Sequence, residues 1–229
     1  MAWSKRLSAV NAKERKIKGK FIVASRGPHK RDASISLLVA LRDSIMLSET
    51  YKEGKHSIKR GELVVDGKSC KDHKHGIGLM DIIHIPSVNV SYRAMNGKKG
   101  LILVKIPEKE SKTKICKIIG KTAIKGGKIQ YNLHDGRNMI LDEKYKTGDS
   151  LVIGLPGQKI IEHLKFAEGN TVLITTGKNA GVTAKIEKIE AGRTKRVWMK
   201  KEGTAGSDFE APINYVMIVG KDKPAITVE

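Results

Sequence analysis

The chain has 229 residues and carries 44 Lys and Arg against 24 Asp and Glu, a formal net charge of +20. Self-repulsion of that size destabilises a compact chain unless a polyanion neutralises it, and neutralising phosphates releases their condensed counterions. Nucleic acid is therefore favoured as partner over anionic lipid or a merely soluble basic surface, while 4% aromatic residues disfavour a single-strand stacking protein.

The charge is concentrated at the front. Residues 1–31 hold ten Lys and Arg against Glu14 alone, whereas the last 23 residues carry two lysines and four acids. Residues 1–29 have no sustained apolar period and read as a basic arm that an anion must organise. From Ala33 to Leu47, Leu37, Leu38, Leu41, Ile45 and Met46 fall at helical spacing, with Asp32 or Ser34 as cap. A second helix is expected from about Glu49 to Ile58, stopped by Lys59-Arg60-Gly61. "ELVVDGK" reads as a strand entering an Asp66-Gly67 turn, and "GLMDIIHIP" as its partner.

Beyond Ser87 the pattern becomes strand-like: "VNVSYRAM", "GLILVKI", "KICKIIGK", "GKIQYNL", "SLVIGL" and "KIIEHLKF", separated by Gly, Pro and Asn/Asp turns. This spacing fits a small barrel or sandwich. "NTVLIT" and "AGVTAKI" then form a hairpin around Gly177–Gly181, followed by "RVWMKKEG" and "NYVMIVGK". No apolar run approaches the roughly 20 residues a membrane helix needs, and no signal-peptide core is visible, so a soluble intracellular chain is expected.

Candidate chemistry fails on spacing. "IGKT" at Ile119–Thr122 has Ile115 where a phosphate loop needs glycine, and "TGKN" has Val172 there with Asn179 after Lys178. His73 and His75 flank Lys74 without a third ligand, so no metal is expected. Cys70 and Cys116 stand alone, which excludes a paired-cysteine zinc ribbon and argues against a disulfide scaffold. No nucleophile turn or carboxylate pair stands out; no catalytic residue and no cofactor is expected.

"GPHKRDASISLLVALRDSIML", "IKRGELVVDGKSCKDHKHGIGLMDIIHIP" and "EGNTVLITTGKNAGVTAKIEKI", in that order, resemble the archaeal and eukaryotic small-subunit ribosomal protein family S4e. The resemblance runs from about residue 26 to the end, while residues 1–25 depart from the family's usual arm. It implies an α+β, multi-domain chain: a basic arm (1–31), a helix–helix–β alpha-L RNA-binding domain (32–95), a barrel-like central β domain (96–168), and an SH3-like KOW barrel with a C-terminal strand (169–229). The chain stops soon after "NYVMIVGKDKPAITV", without the basic tail of eukaryotic members, which favours an archaeal source.

Carried over by position, the resemblance implies RNA contacts from Arg26, Lys30, Arg31, Arg42, Lys55, Lys59, Arg60, Lys68 and Lys71 in the front half. In the KOW module it implies Lys178, Asn179, Lys185, Arg193, Lys195 and Arg196. Cations at helix ends and beside glycine turns reach successive phosphates while the apolar side packs. The implied protein is a non-enzymatic constituent of the small subunit in cytoplasmic ribosomes. It binds 16S-type ribosomal RNA and neighbouring ribosomal proteins, with no membrane, no small-molecule substrate and no homo-oligomer. Two alternatives stand beside it. A pseudouridine-synthase-like enzyme needs a Gly-Arg-x-Asp loop, and "GRTK" at Gly192 and "GRNM" at Gly136 both lack the aspartate. A KOW-type transcription factor would be expected to carry a polymerase-docking domain where this chain has the alpha-L unit.

Overall fold

The computed structural model describes residues 3–5, 21–97, 100–190, 195–201, 208–221 and 224–227. The chain divides into two compact units. The first is Met1–Lys114 with Leu155–Gly157; the second is Ile115–Gly154 with Gln158–Glu229.

In the first unit, β1 (Trp3–Lys5) pairs antiparallel with β2 (Phe21–Val23). Next comes β3 (Ile35–Ser36), which pairs with Gly76–Ile77. Helix α1 (Leu37–Val39) follows and runs on into a wider turn over Ala40–Ser44. The helix expected from Ala33 thus starts four residues late. The Leu37 and Leu38 N–H groups are committed to the His75 and His73 carbonyls (2.7 and 3.2 Å), and Ser36, not Asp32 or Ser34, caps Val39 N–H (3.4 Å). Apolar spacing reports the buried face but not a neighbouring segment that competes for the backbone.

Helix α2 (Tyr51–Arg60) has a complete capping box, in which Thr50 accepts from Glu53 N–H and the Glu53 carboxylate accepts from Thr50 N–H. Gly61 closes it in the left-handed conformation at φ 79°, a backbone state that costs glycine little. Strands β4 (Val64–Val65) and β5 (Lys68–Ser69) form the hairpin read around Asp66-Gly67. After them come β6 (Gly76–Ile77), β7 (Ile82–Ile85), β8 (Val90–Gly97) and β9 (Gly100–Ile106). The main sheet has the order β5-β4-β7-β8-β9. Its core joins Leu37, Leu38, Leu41 and Ile58 from the helices to Leu63, Val65, Ile83 and Ile85. The border expected at residues 95/96 falls inside β8, which pairs along its length with β9.

The second unit is all strand apart from one short turn of helix among its described residues. It contains most of β10 (Thr113–Ala123), then β11 (Ile129–Leu133), β12 (Asn138–Leu141), β13 (Ser150–Gly154) and β14 (Lys159–Leu164). These form a sheet of order β12-β11-β10-β13-β14 over a core of Cys116, Ile118, Tyr131, Leu133, Leu151 and Ile153. The other sheet, β18-β17-β16-β15-β19, comprises β15 (Thr171–Ile174), β16 (Thr183–Glu190), β17 (Arg196–Lys201), β18 (Asp208–Pro212) and β19 (Val216–Gly220). Lys117 on β10 turns inward here, and its ammonium donates to the Ile213 and Val216 carbonyls, both at 2.7 Å.

No helix among the described residues is long and apolar enough to cross a membrane.

Candidate nucleic-acid interface

In the first unit a group of cations lies on α2 and the segments that flank it. Gly54 and Ile58 bury one face of the helix, where a Cβ on Gly54 would come within 2.7 Å of Ser48 Oγ. Lys52, Lys55 and Lys59 consequently recur on another face, and Lys59 and Arg60 sit in the last turn, where the helix dipole favours positive charge. The Lys55 ammonium lies 5.7 Å from the Tyr51 ring centre, and Tyr51 Oη meets His73 Nε2 at 3.1 Å. Burial and the positive field of Lys55, Lys74 and Lys59 hold the His73 imidazole below its ordinary value, against the opposing pull of Asp72. Lys71 lies along the Gly61 cap, and Lys68 is exposed on β5.

Arg26, Lys30 and Arg31 are exposed just before β3. Arg42 is placed differently. Its guanidinium forks onto the neighbouring Asp43 carboxylate at 2.6 and 2.8 Å, so much of its charge is matched within the chain.

In the second unit the loop between β15 and β16 turns through Gly177 (φ 97°) and Gly181 (φ 84°). Gly181 N–H returns to Ile174 O at 2.8 Å and Ala180 is buried, which leaves Lys178 exposed and Asn179 half-buried. Lys185 stands on β16 opposite Lys200 in the register. Lys195 directly precedes β17, and Arg196, its first residue, is paired with Glu210 at 2.7 Å.

A groove of about 450 Å³ beside β12 and β14 includes Asp142, Glu143, Tyr145, Glu162 and His163. Four of these polar groups are engaged with the fold: Glu162 meets Lys221 (2.9 Å), His163 meets Asp149 (2.9 Å), and Tyr145 donates to Glu143. Burial and Glu143 push the Tyr145 hydroxyl up to about 12, away from acid–base work near neutral pH. Among the described residues no group of three or more His, Cys, Asp or Glu is placed to hold a metal.

A model of the ribosomal family S4e matches residues 88–160. The small ribosomal subunit protein eS4 of Methanosphaera stadtmanae is 42% identical over 205 residues, covering 89% of this chain and 85% of its own. Its counterpart in Methanococcus vannielii is 39% identical over 213 residues, covering 89% and 87%. The chain belongs to the S4e family. A crystal structure of the 30S ribosomal protein S4e from Thermoplasma acidophilum is also similar, with a TM-score of 0.72 at 32% identity, covering 83% of this chain and 96% of that one.

Within this S4e fold, the cations implied by resemblance fall into distinct groups. Lys55, Lys59, Arg60 and Lys71 come together around the C-terminal part of α2, and Arg26, Lys30 and Arg31 share one short segment. Lys178 and Asn179 do not join Lys195 and Arg196. The two pairs lie at opposite ends of β16, roughly 25 Å apart for an eight-residue strand. Arg193 lies outside the described residues, as does most of the arm. The reading from sequence passed over Lys74, which joins the α2 group, and the exposed Lys121, Lys125 and Lys128 at the β10–β11 turn. A visible signal for the latter was present: no Asp or Glu occurs between Glu110 and Asp135.

Proposed function

We propose that this S4e chain is a structural constituent of the small ribosomal subunit, in cytoplasmic ribosomes, that clamps 16S-type ribosomal RNA and catalyses no reaction. The observation that carries the reading is the gathering of Lys55, Lys59, Arg60 and Lys71 around α2, with Lys74 close by. Such a surface meets phosphates by position and charge, which suits structured RNA read by shape. The names of the archaeal relatives support the same assembly.

The domain scheme follows: a basic arm over 1–31, an alpha-L RNA-binding module over 32–95, a central β domain over 96–168 and a KOW module over 169–229. The helix pair and strands β4, β5, β7 and β8 of the first unit support the alpha-L assignment, and the β18-β17-β16-β15-β19 sheet supports the KOW assignment. Arg26, Lys30, Arg31, Lys55, Lys59, Arg60, Lys68, Lys71, Lys178, Asn179, Lys185, Lys195 and Arg196 are the proposed contacts. Arg42, already matched by Asp43, contributes less.

Binding of purified protein to a 16S-type transcript across a salt series tests this. Neutralising about eight phosphates gives a log–log salt slope near −7. Co-sedimentation with small subunits at low salt and release at high salt is the matching result. A flat salt response, or no association with small subunits, refutes the reading.

A further inference from the structure

The segment 25–34 is held with unusual completeness for a surface stretch. Arg26 is pinned on both sides of its backbone: its N–H donates to Lys74 O (2.7 Å), and Gly76 N–H donates to Arg26 O (2.6 Å). The Lys30 carbonyl accepts from Ala33 N–H and from Ser34 Oγ, both at 3.0 Å, and Ser34 Oγ also meets Ser25 Oγ at 3.0 Å. Between these points stands His29, with its side chain 6% exposed amid exposed neighbours.

His29 fills a slot that exists because residue 78 is glycine. A Cβ there would lie 2.3 Å from the ring. Its Nε2 reaches Asp81 Oδ2 at 2.8 Å, an oxygen that also accepts Gly78 N–H at 2.8 Å. The other Asp81 oxygen accepts from the Lys114 ammonium at 2.6 Å, and Lys114 also donates to Asp66 at 2.7 Å. The ring therefore ends on a carboxylate that the core itself fixes.

We infer that His29 is a positioning residue for RNA binding: its buried ring locks the segment from which Arg26, Lys30 and Arg31 project, so that the three cations meet phosphates as one preformed group. This rests on the RNA-binding reading above. The physical argument is entropic. Ordering a free backbone residue costs about 1–2 kcal/mol, and a segment ordered in advance does not incur that cost on binding. A histidine suits the position because it combines a flat ring for the slot with a polar tip for Asp81. The aliphatic part of a lysine or arginine would not satisfy both.

The test compares the full chain with H29A, H29Q, G78A and the triple variant R26A/K30A/R31A, each binding a 16S-type transcript across a salt series. H29A removes the lock. G78A expels the ring from the other side and reports even where H29A fails to fold. The expected result is about tenfold weaker binding for both, with a salt slope shallower by about 3, as three phosphate contacts at roughly 0.9 each imply. Adding the triple substitution to G78A then costs little more, while H29Q, which keeps a donor toward Asp81, stays within about threefold of wild type. Unchanged affinity in G78A and H29A, an unchanged salt slope, or full additivity with the triple variant overturns the proposal and leaves the RNA-binding reading standing. Absence of binding by the wild-type chain overturns both.

Discussion

Lys114 and Lys117 lie three residues apart on β10, yet each belongs to a different unit and each is kept from water in a different way. In the first unit Lys114, 1% exposed in its side chain, is answered by two carboxylates, Asp66 at 2.7 Å and Asp81 at 2.6 Å. In the second, Lys117 donates to the Ile213 and Val216 carbonyls and more weakly to Asn214 O at 3.4 Å. The consequences for ionisation differ accordingly. Burial disfavours a charged Asp81, but Lys114 and then His29 outweigh it and hold that carboxyl below the usual range. Burial, opposed by Lys114, leaves the Asp66 carboxyl above the usual range, with Asp81 adding to the rise. Burial pushes the Lys117 ammonium down to about 8. Full charges answer a charge in one unit; dipoles do so in the other, at a standing cost to the ionised form.

Three measurements break or sharpen that contrast. The largest effect belongs to Lys114→Met, which leaves Asp66 and Asp81 facing each other without the ammonium between them. Denaturant unfolding should show a loss of about 3–5 kcal/mol. Converting both aspartates to Asn in the same background should recover much of it; a loss below about 1 kcal/mol for the single variant removes the contrast.

The next effect is a pH dependence. The folded Lys117 releases its proton near 8 and the unfolded one near 10.5, so the unfolded chain binds more protons across that window. Stability of the wild type relative to Lys117→Met should therefore rise between these values. The rise is on the order of 2 kcal/mol, below the full linkage value because the ammonium keeps some access to solvent. Parallel stability curves for the two proteins from pH 7 to 10.5 defeat this expectation.

The smallest effect is Lys117→Met at pH 7. Lost hydrogen bonds to the carbonyls and relief from burying an ammonium nearly cancel, for a net change within about 1 kcal/mol. A loss of the size expected at Lys114 would show that backbone dipoles hold a buried cation as firmly as carboxylates do.

The same pair shows where reading a sequence runs out. Lys114, Lys117 and Arg93 each occupy strand positions, where alternation marks a charged residue as facing solvent. Their partners are far along the chain: Asp66 lies 48 residues before Lys114, and Val216 lies 99 after Lys117. No local pattern connects them. Elements with a strong period and a clear stop were legible, as β9 matches "GLILVKI" residue for residue and α2 ends at the expected Gly61. Strands β12 and β18 were missed, since "NMIL" is short and "DFEAP" is polar and ends in proline. Exposed cations were legible by type, because on a basic chain they need no partner to be noticed. Their grouping was not: it depends on which end of β16 a loop occupies, and on Asp43 matching Arg42.

The first unit is also discontinuous in sequence. Leu155 packs with Ile82 and Ile106, and its N–H donates to Lys112 O at 2.8 Å. A nascent chain leaves the exit tunnel N-terminus first, so Ile82 and Ile106 wait uncovered while the following 48 residues, through Gly154, are translated. Maturation of the front of the molecule is thereby timed by synthesis of its middle, and a truncated product ending between Ile106 and Leu155 exposes the apolar patch that quality-control chaperones and proteases engage.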